Sequence, residues 1–138
     1  MNARSHARRR RGALTVEFAL VAPLTFLVFF ASFEFSRMNM VRHTVDIAAY
    51  EGARRGIVPG ATAADVTARI NQVLGQVSIS NTQVTVTPAT IDSRTPQVTV
   101  HVEADMDSNG FLTAKFASGM AVEAEATMAR EGFTTPLP

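Results

Sequence analysis

An uncharged apolar run near the N-terminus constrains this chain more than any other feature. Residues Phe18–Phe33 contain no charged side chain, and extending the run back to Ala13 adds only one, Glu17. The resulting 21 residues would form about 30 Å of helix at about 1.5 Å per residue, the thickness of a bilayer core. Because the remainder of the chain is too small to bury such a helix, the run predicts one membrane-spanning helix.

The distribution of charge gives this helix a direction. Residues 1–12 hold five Arg and no acid, whereas all 12 acidic side chains follow them. By the positive-inside rule, the N-terminus lies in the cytoplasm beside anionic lipid, and the C-terminal part lies outside. A basic tip on an acidic body argues against a nucleic-acid-binding domain. The chain has no Cys, which excludes disulfides, thiol catalysis and Cys-bound metals.

A secretory signal peptide is the first alternative, since it also joins a basic segment to an apolar one. The apolar run is longer than the about 7–15 residues typical of a signal peptide. The residues that follow it, Glu34–Arg37, are bulky or charged and contain no A-x-A cleavage site. The pattern therefore favours an anchor that stays in the membrane.

Glu17 is the chemically unusual residue of the run, because an unpaired carboxylate in a membrane costs a few kcal/mol. One interpretation is that Glu17 lies close enough to the interface to reach water. The other begins with Arg8–Arg11 and Gly12, because cleavage after Gly12 would give Ala13 a free ammonium four residues before Glu17. Residues four apart share a helix face, so the two charges would neutralise each other within one chain or between neighbours.

These residues carry a family resemblance. A basic run, Gly12, a small residue and a Glu at the fifth position after the Gly resemble the class III leader of type IV pilins and pseudopilins. More narrowly, the chain resembles the TadE-like family, the pseudopilins of the tight-adherence pilus. The similar segments are RGALTVEFALVAPL (11–24), EFSR (34–37) and AAYEGARRG (48–56).

The resemblance implies a structural role, that of a pseudopilin or minor-pilin-like subunit in a Tad-type pilus assembly or secretion apparatus. By analogy, a prepilin peptidase cuts between Gly12 and Ala13, and Glu17 sets the register of helices during assembly. The implied partners are that peptidase, other pilin or pseudopilin subunits, inner-membrane platform proteins and membrane lipid. The implied location is the bacterial inner membrane. The alternative function is an uncleaved single-pass anchor whose extracytoplasmic head binds a partner.

The helix is predicted to continue past the membrane. Pro23 lies within the apolar run and lacks an N–H, which predicts a kink. Beyond residue 33 an apolar stripe follows helical spacing, and Gly56 and Pro59 end it. The predicted organisation is a basic leader (1–12), a long helix (13–58) that spans the membrane to about residue 33, and an extracytoplasmic head (59–138). The stripe comprises Met38, Val41, Val45, Ala48, Ala49 and Gly52.

The head is predicted to be α+β. Thr62 and Asp65 form a capping box in front of a helix at about 63–74. Alternating segments then predict an antiparallel sheet of about three to four strands, with one face covered by the long helix or by the second one. The first two segments, Val77–Ser80 and Gln83–Thr87, form either one broken strand or two strands. The others are Gln97–Glu103 and Met120–Met128.

One segment has the beginning of a metal-binding pattern. Asp105, Asp107 and Asn109, followed by Gly110, match the first half of a calcium loop, but its last position is Phe116 where a Glu is required. A polar turn is the competing interpretation. The chain has no motif of a nucleophile, phosphate loop or dinucleotide site, and its three His lack metal-ligand spacing. The sequence therefore predicts no catalytic residue, no cofactor and no metal beyond this weak calcium candidate.

Overall fold

The computed structural model describes residues 3–111 and 119–130, with side chains from residue 12 onward. Helices and an antiparallel sheet follow each other in these ranges, which confirms the predicted α+β class. The chain divides into two compact units, an N-terminal unit (Met1–Ser36) and a C-terminal unit (Arg37–Pro138). The elements are α1 (Ala3–Gly56), α2 (Ala63–Gly75), β1 (Thr82–Thr87), β2 (Gln97–Asp105), α3 (Met106–Asn109) and β3 (Ala121–Ala129).

The N-terminal unit consists of the first part of α1. Over Gly12–Gly56 this helix is long and apolar enough to cross a membrane, and its most apolar stretch buries none of its residues in the protein. A core helix of a soluble protein would bury such side chains, because exposed apolar surface is unfavourable in water. The exposure of this stretch therefore fits a single-pass membrane protein.

The core of the C-terminal unit lies between two helices and one face of the sheet. The predicted stripe of α1 is confirmed there, since Val41, Val45 and Ala48 are fully buried. They belong to one cluster with side chains of α2 and β2, so both helices cover the sheet. The other central members of the cluster are Val66, Ile70, Leu74, Val98, Val100 and Val102.

The sheet has the order β1-β2-β3, with both neighbouring pairs antiparallel. In the central strand β2, buried and half-buried residues alternate, which confirms the alternation predicted for Gln97–Glu103. The register places Val84 of β1 and Ala124 of β3 beside Val102. The apolar side chains of all three strands therefore share the face that the helices cover.

The predicted strand at Val77–Ser80 is wrong. These residues form a turn and an irregular segment after α2, and β1 begins at Thr82. Ser78 has a φ of 55°, outside the extended region, and the amides of Val77 and Ile79 bind the carbonyl oxygen of Leu74. The last carbonyls of a helix need donors from outside it, and this segment supplies them.

The capping box in front of α2 is confirmed. Asp65 donates its backbone N–H to Thr62 Oγ1 over 3.2 Å, and the Thr62 N–H donates to Asp65 Oδ2 over 2.9 Å. The hydrogen bonds from the backbone and the side chain of Thr62 lower the pKa of the Asp65 carboxyl. Two of the free amides at the start of α2 are thereby satisfied, which explains why the helix begins there.

Two glycines let α1 approach its neighbours closely. A Cβ at Gly52 would lie 2.7 Å from Cγ1 and Cδ1 of Ile70, and one at Gly56 would lie 2.8 Å from Cγ1 of Val98. Ile70 is fully buried and Val98 nearly so, so neither side chain can move aside freely. The small residues at the end of α1 thus determine how near α2 and β2 pack against it.

We expect the same substitution to have opposite effects at two glycines. Gly52→Ala should lower the free energy of unfolding by about 1–3 kcal/mol, the usual cost of overpacking a core. Gly75→Ala should raise it by up to about 1 kcal/mol, because a Cβ there meets no atom within 4 Å and Ala favours helix. Urea denaturation of the full-length chain in detergent, followed by circular dichroism, measures both. Equal effects at the two positions would contradict the close approach.

Candidate functional site

The polar side chains of the N-terminal unit are largely satisfied within the helix. Thr25 Oγ1 donates to the carbonyl oxygen of Val21 over 3.0 Å, and Ser32 Oγ donates to that of Val28 over 2.8 Å. Such bonds hide hydroxyl groups from lipid. Glu17 differs, because it is an ionisable residue with an exposed side chain within the apolar stretch. Lipid around this side chain could not satisfy its carboxylate.

Gly12, Ala13 and Glu17 follow one another along α1. The helix continues through the bond between Gly12 and Ala13, and a Cβ at Gly12 would meet no atom within 4 Å. Residues 13 and 17 are one helical turn apart, so their Cβ atoms are about 5–6 Å from each other. An ammonium created at Ala13 would therefore lie within reach of the Glu17 carboxylate. The side chains of Arg8–Arg11 lie outside the described part of the chain.

Pro23 lies within α1, and the helix continues on both sides of it. A proline cannot donate a backbone hydrogen bond, so the carbonyl four residues earlier, that of Ala19, loses its usual donor. After Pro23 comes an exposed aromatic cluster in which the rings of Phe26 and Phe29 each contact Phe30, with centroids 6.5 and 5.8 Å apart. The kink and its role in assembly stay predictions.

In the C-terminal unit, Arg37 joins α1 to two later segments. Its Nε donates to the carbonyl oxygen of Asn109 over 3.1 Å, and its Nη1 donates to that of Val77 over 3.3 Å. Hydrogen bonds from a charged donor are worth about 1.5–3 kcal/mol. Arg37 closes the EFSR segment singled out by the resemblance, and the structure gives it an anchoring role that the spacing alone did not indicate.

Asn109 is the centre of a buried polar network. Asn109 is 4% exposed, and its side chain binds both the N–H and the carbonyl oxygen of Ser80. The Ser80 N–H donates to Asn109 Oδ1 over 2.9 Å, and Asn109 Nδ2 donates to the carbonyl oxygens of Ser80 and Asp105 over 2.7 and 2.6 Å. Every polar atom of this amide therefore has a partner, as a buried amide requires.

The structure favours the turn interpretation of the Asp105–Asn109 segment over the calcium one. Asp105 Oδ1 accepts from the Asp107 N–H and caps the short helix α3, while its Oδ2 accepts from Asn81 Nδ2. Asp107 Oδ1 is buried and has no hydrogen-bond partner among the described residues, but Ca²⁺ takes about 6–8 oxygens. Within residues 12–111 and 119–130, no group of three or more acidic or His side chains is placed to hold a metal. Phe116 lies outside the described residues.

Arg130 closes the opposite end of the C-terminal unit. Its guanidinium donates to the carbonyl oxygens of Asp92, Ile57 and Val58 over 2.6, 3.2 and 3.4 Å. It therefore ties the end of β3 to the β1–β2 loop and to the segment that follows α1. Sequence reasoning missed this residue, and a lone Arg after a strand carries no signal that would have found it.

The outer face of the sheet is polar and open. His101 Nε2 lies 3.6 Å from Glu123 Oε2, and the two side chains are 36% and 63% exposed. Glu103 and Glu125 are neighbours of this pair in the strand register. A His and a carboxylate on a flat exposed face lack the closed cleft in which such pairs act as acid and base.

We expect Asn109→Asp to destabilise the C-terminal unit by about 2–4 kcal/mol, because a carboxylate would face two carbonyl oxygens and lose both donors. Asn71→Asp on the exposed side of α2 is the matched control and should change stability by less than about 0.5 kcal/mol. Urea denaturation with and without millimolar calcium measures both variants. Stabilisation of the wild-type chain by calcium, measured in the same way, would contradict the turn interpretation.

The comparison with known families concerns α1. Residues 12–54 match the family model described as TadE-like protein. The matched range begins at Gly12, contains Glu17 and Pro23, and ends within the last turn of α1. No curated protein and no solved structure matches the chain. Residues 12–54 are therefore similar to the TadE-like family, and the exposed apolar helix that contains them fits a single-pass membrane protein.

Proposed function

We propose that the chain is a pseudopilin or minor-pilin-like structural subunit of a Tad-type pilus assembly or secretion apparatus, matured by a prepilin peptidase between Gly12 and Ala13. The observation that carries this proposal is the start of the family match at Gly12, within which Ala13 and Glu17 follow. A simple anchor needs an apolar segment at these positions. It has no physical need for a flexible residue at position 12 or a carboxylate at position 17.

Cleavage requires the helix to open at this bond. Gly disfavours helix by about 1 kcal/mol relative to Ala, so Gly12 lowers the cost of opening. Among the described residues beyond its own turn of helix, no atom lies within 4 Å of a Cβ built on Gly12. Proteases act on such locally unfolded segments. Gly12 thus supports the step without contributing any catalytic group, since the chemistry belongs to the peptidase.

The new N-terminus gives Glu17 a partner that it lacks among the described residues of the precursor. The ammonium of Ala13 and the carboxylate of Glu17 lie one turn apart, and their attraction is stronger in lipid than in water. Pairing within one chain removes the cost of a lone charge. Pairing with a neighbouring subunit does the same and also sets the axial register of two helices. The mature helix is then extracted from the membrane into a bundle of helices.

The orientation of the chain follows the positive-inside rule, with residues 1–12 in the cytoplasm and the C-terminal unit outside the inner membrane. The C-terminal unit makes contacts at the side of the assembly. Its partners are other pilin subunits, and the precursor is recognised by the peptidase and by inner-membrane platform proteins. The chain acts through binding and packing and carries no reaction of its own.

The first test is the processing of Gly12→Val. We expect the wild-type chain to begin at Ala13 when the peptidase is co-expressed, and the variant to keep its leader, because Val opposes local opening and close approach of the enzyme. Intact mass and N-terminal sequencing of the extracted protein measure this. Ala19→Val creates the same residue on an exposed part of the same helix and should be processed normally.

Two results would contradict the proposal. A wild-type chain that keeps its N-terminus in the presence of active peptidase would favour an uncleaved anchor with a binding head. A chain that begins after Ser36 would indicate an ordinary signal peptide and a secreted C-terminal unit.

The second test is Glu17→Gln, which keeps the size of the side chain and removes its charge. We expect normal cleavage but at least a tenfold loss of assembled pili in the sheared fraction, which corresponds to about 1.4 kcal/mol. The loss follows because a neutral amide cannot pair with the Ala13 ammonium. Glu123→Gln on the outer face of the sheet is the matched control and should assemble normally. Normal assembly of Glu17→Gln would show that Glu17 is incidental.

A further inference from the structure

The strand β3 forms one edge of the sheet, and one side of its backbone is open. The Arg130 N–H donates to the carbonyl oxygen of Pro96, and the Met106 N–H donates to that of Met120. Both pairs continue the register of β2 and β3, so the even-numbered residues of β3 are those that hydrogen-bond to β2. The N–H and C=O groups of its odd-numbered residues point away from β2. Among the described residues, no other strand pairs with them.

The usual protections of an open edge are missing from β3. The strand is nine residues long, contains no Pro, and pairs with β2 without a bulge. Charged side chains that point inward would also block an edge, but the inward side chains of β3 are apolar. The strand therefore has the geometry to which an extended segment can be added as a fourth strand.

The inner face of β3 leaves apolar surface for such a strand to cover. The inward residues of β2, from Val98 to Ala104, are at most 1% exposed, whereas those of β3 are only half-buried. The two helices thus cover the middle of the sheet completely and its β3 side in part. A fourth strand with apolar inward side chains would extend the core over the rest. The inward residues of β3 are Val122, Ala124, Ala126 and Met128.

The outer face of β3 determines which charge such a strand can carry. Glu123 and Glu125 both lie on this face, and Glu103 lies beside Glu123 in the register. None of the three strands contains a Lys or Arg. Directly opposite residues of neighbouring strands share a face, where opposite charges attract and like charges repel. A second copy of β3 would place Glu against Glu, so the charges favour a strand that carries Lys or Arg.

The other edge of the sheet lacks these features. The strand β1 has only six residues, and α2 lies close to it. Its outer face carries Gln83, Thr85 and Thr87, which are uncharged. This edge therefore offers less backbone to an added strand and no charge that would select one.

We infer that β3 binds an extended segment of another protein, in which apolar residues alternate with Lys or Arg, as a fourth strand of the sheet. The backbone of the segment hydrogen-bonds to the odd-numbered residues of β3. Its apolar side chains lie beside Ala124 and Ala126, and its basic side chains pair with Glu123 and Glu125. This inference goes beyond the proposed function and does not depend on cleavage after Gly12.

The probe is a fluorescent peptide of nine alternating Val and Lys residues, which matches the length of β3. The full-length chain is titrated into it in an uncharged detergent, and fluorescence anisotropy measures binding. We expect saturable binding, and none to the same peptide with Glu in place of Lys. Absence of binding to the Lys peptide would overturn the inference.

Methylation of the peptide backbone separates strand addition from simple charge attraction. Methylated Lys amides should abolish binding if the peptide is antiparallel to β3, and methylated Val amides should abolish it if the peptide is parallel, because only those N–H groups face β3. One of these two peptides should therefore lose binding while the other keeps it. If both bind as well as the unmodified peptide, charge alone attracts it and strand addition is wrong.

Substitutions in β3 locate the site. Glu123→Gln together with Glu125→Gln should weaken binding about tenfold, because two cross-strand ion pairs are lost. Thr127→Pro should weaken it by at least about tenfold, since it removes an outward N–H and leaves the hydrogen bonds to β2 in place.

Thr127→Ala is the matched control, because it loses the same 2.8 Å contact between Thr127 Oγ1 and Thr99 Oγ1 but keeps the N–H. It should bind the peptide as the wild type does. Equal binding by Thr127→Pro and Thr127→Ala would show that the peptide binds elsewhere. Circular dichroism checks that Thr127→Pro is folded, and if it is not, the two methylated peptides decide.

Discussion

The helix α1 has to be stable in lipid over one part of its length and between a protein core and water over another. The rest of the structure depends on how the side chains of α1 change between these two parts. Where α1 is apolar on all sides, its side chains are exposed and do not take part in a protein core. Where it enters the C-terminal unit, its inward residues become small. Gly52 and Gly56 let Ile70 and Val98 approach the helix more closely than any side chain would permit.

Local patterns predicted the parts of the fold that local physics determines. The Thr62–Asp65 capping box and the alternation of β2 are set by neighbouring residues, and both are present. Val77–Ser80 also alternates, but its amides serve the end of α2 instead. Arg37 and Arg130 bind carbonyl oxygens 72 and 73 residues away. A side chain that binds distant backbone leaves no periodicity in the sequence, so these two anchors could not be foreseen.

The residues of the candidate site also differ in whether a local sequence pattern reveals them. Glu17 was identified from the sequence because a carboxylate among apolar residues carries a cost that needs a reason, and Gly12 because it stands between a basic run and the apolar helix. The exposed side of α1 in the C-terminal unit could not be identified in this way. The residues on this side alternate along the chain with those of the buried stripe of α1, and both sets follow helical spacing. Only burial separates them, since Val41 and Val45 are fully buried while Met40 and Ile47 are exposed.

The charges of the sheet explain why two copies should not meet through its outer face. The outer face of the sheet presents Glu103, Glu123 and Glu125 around His101, so two such faces would repel each other. Glu123 and Glu125 lie on β3, which is an edge strand, and charged side chains on an edge strand oppose its pairing with a second sheet.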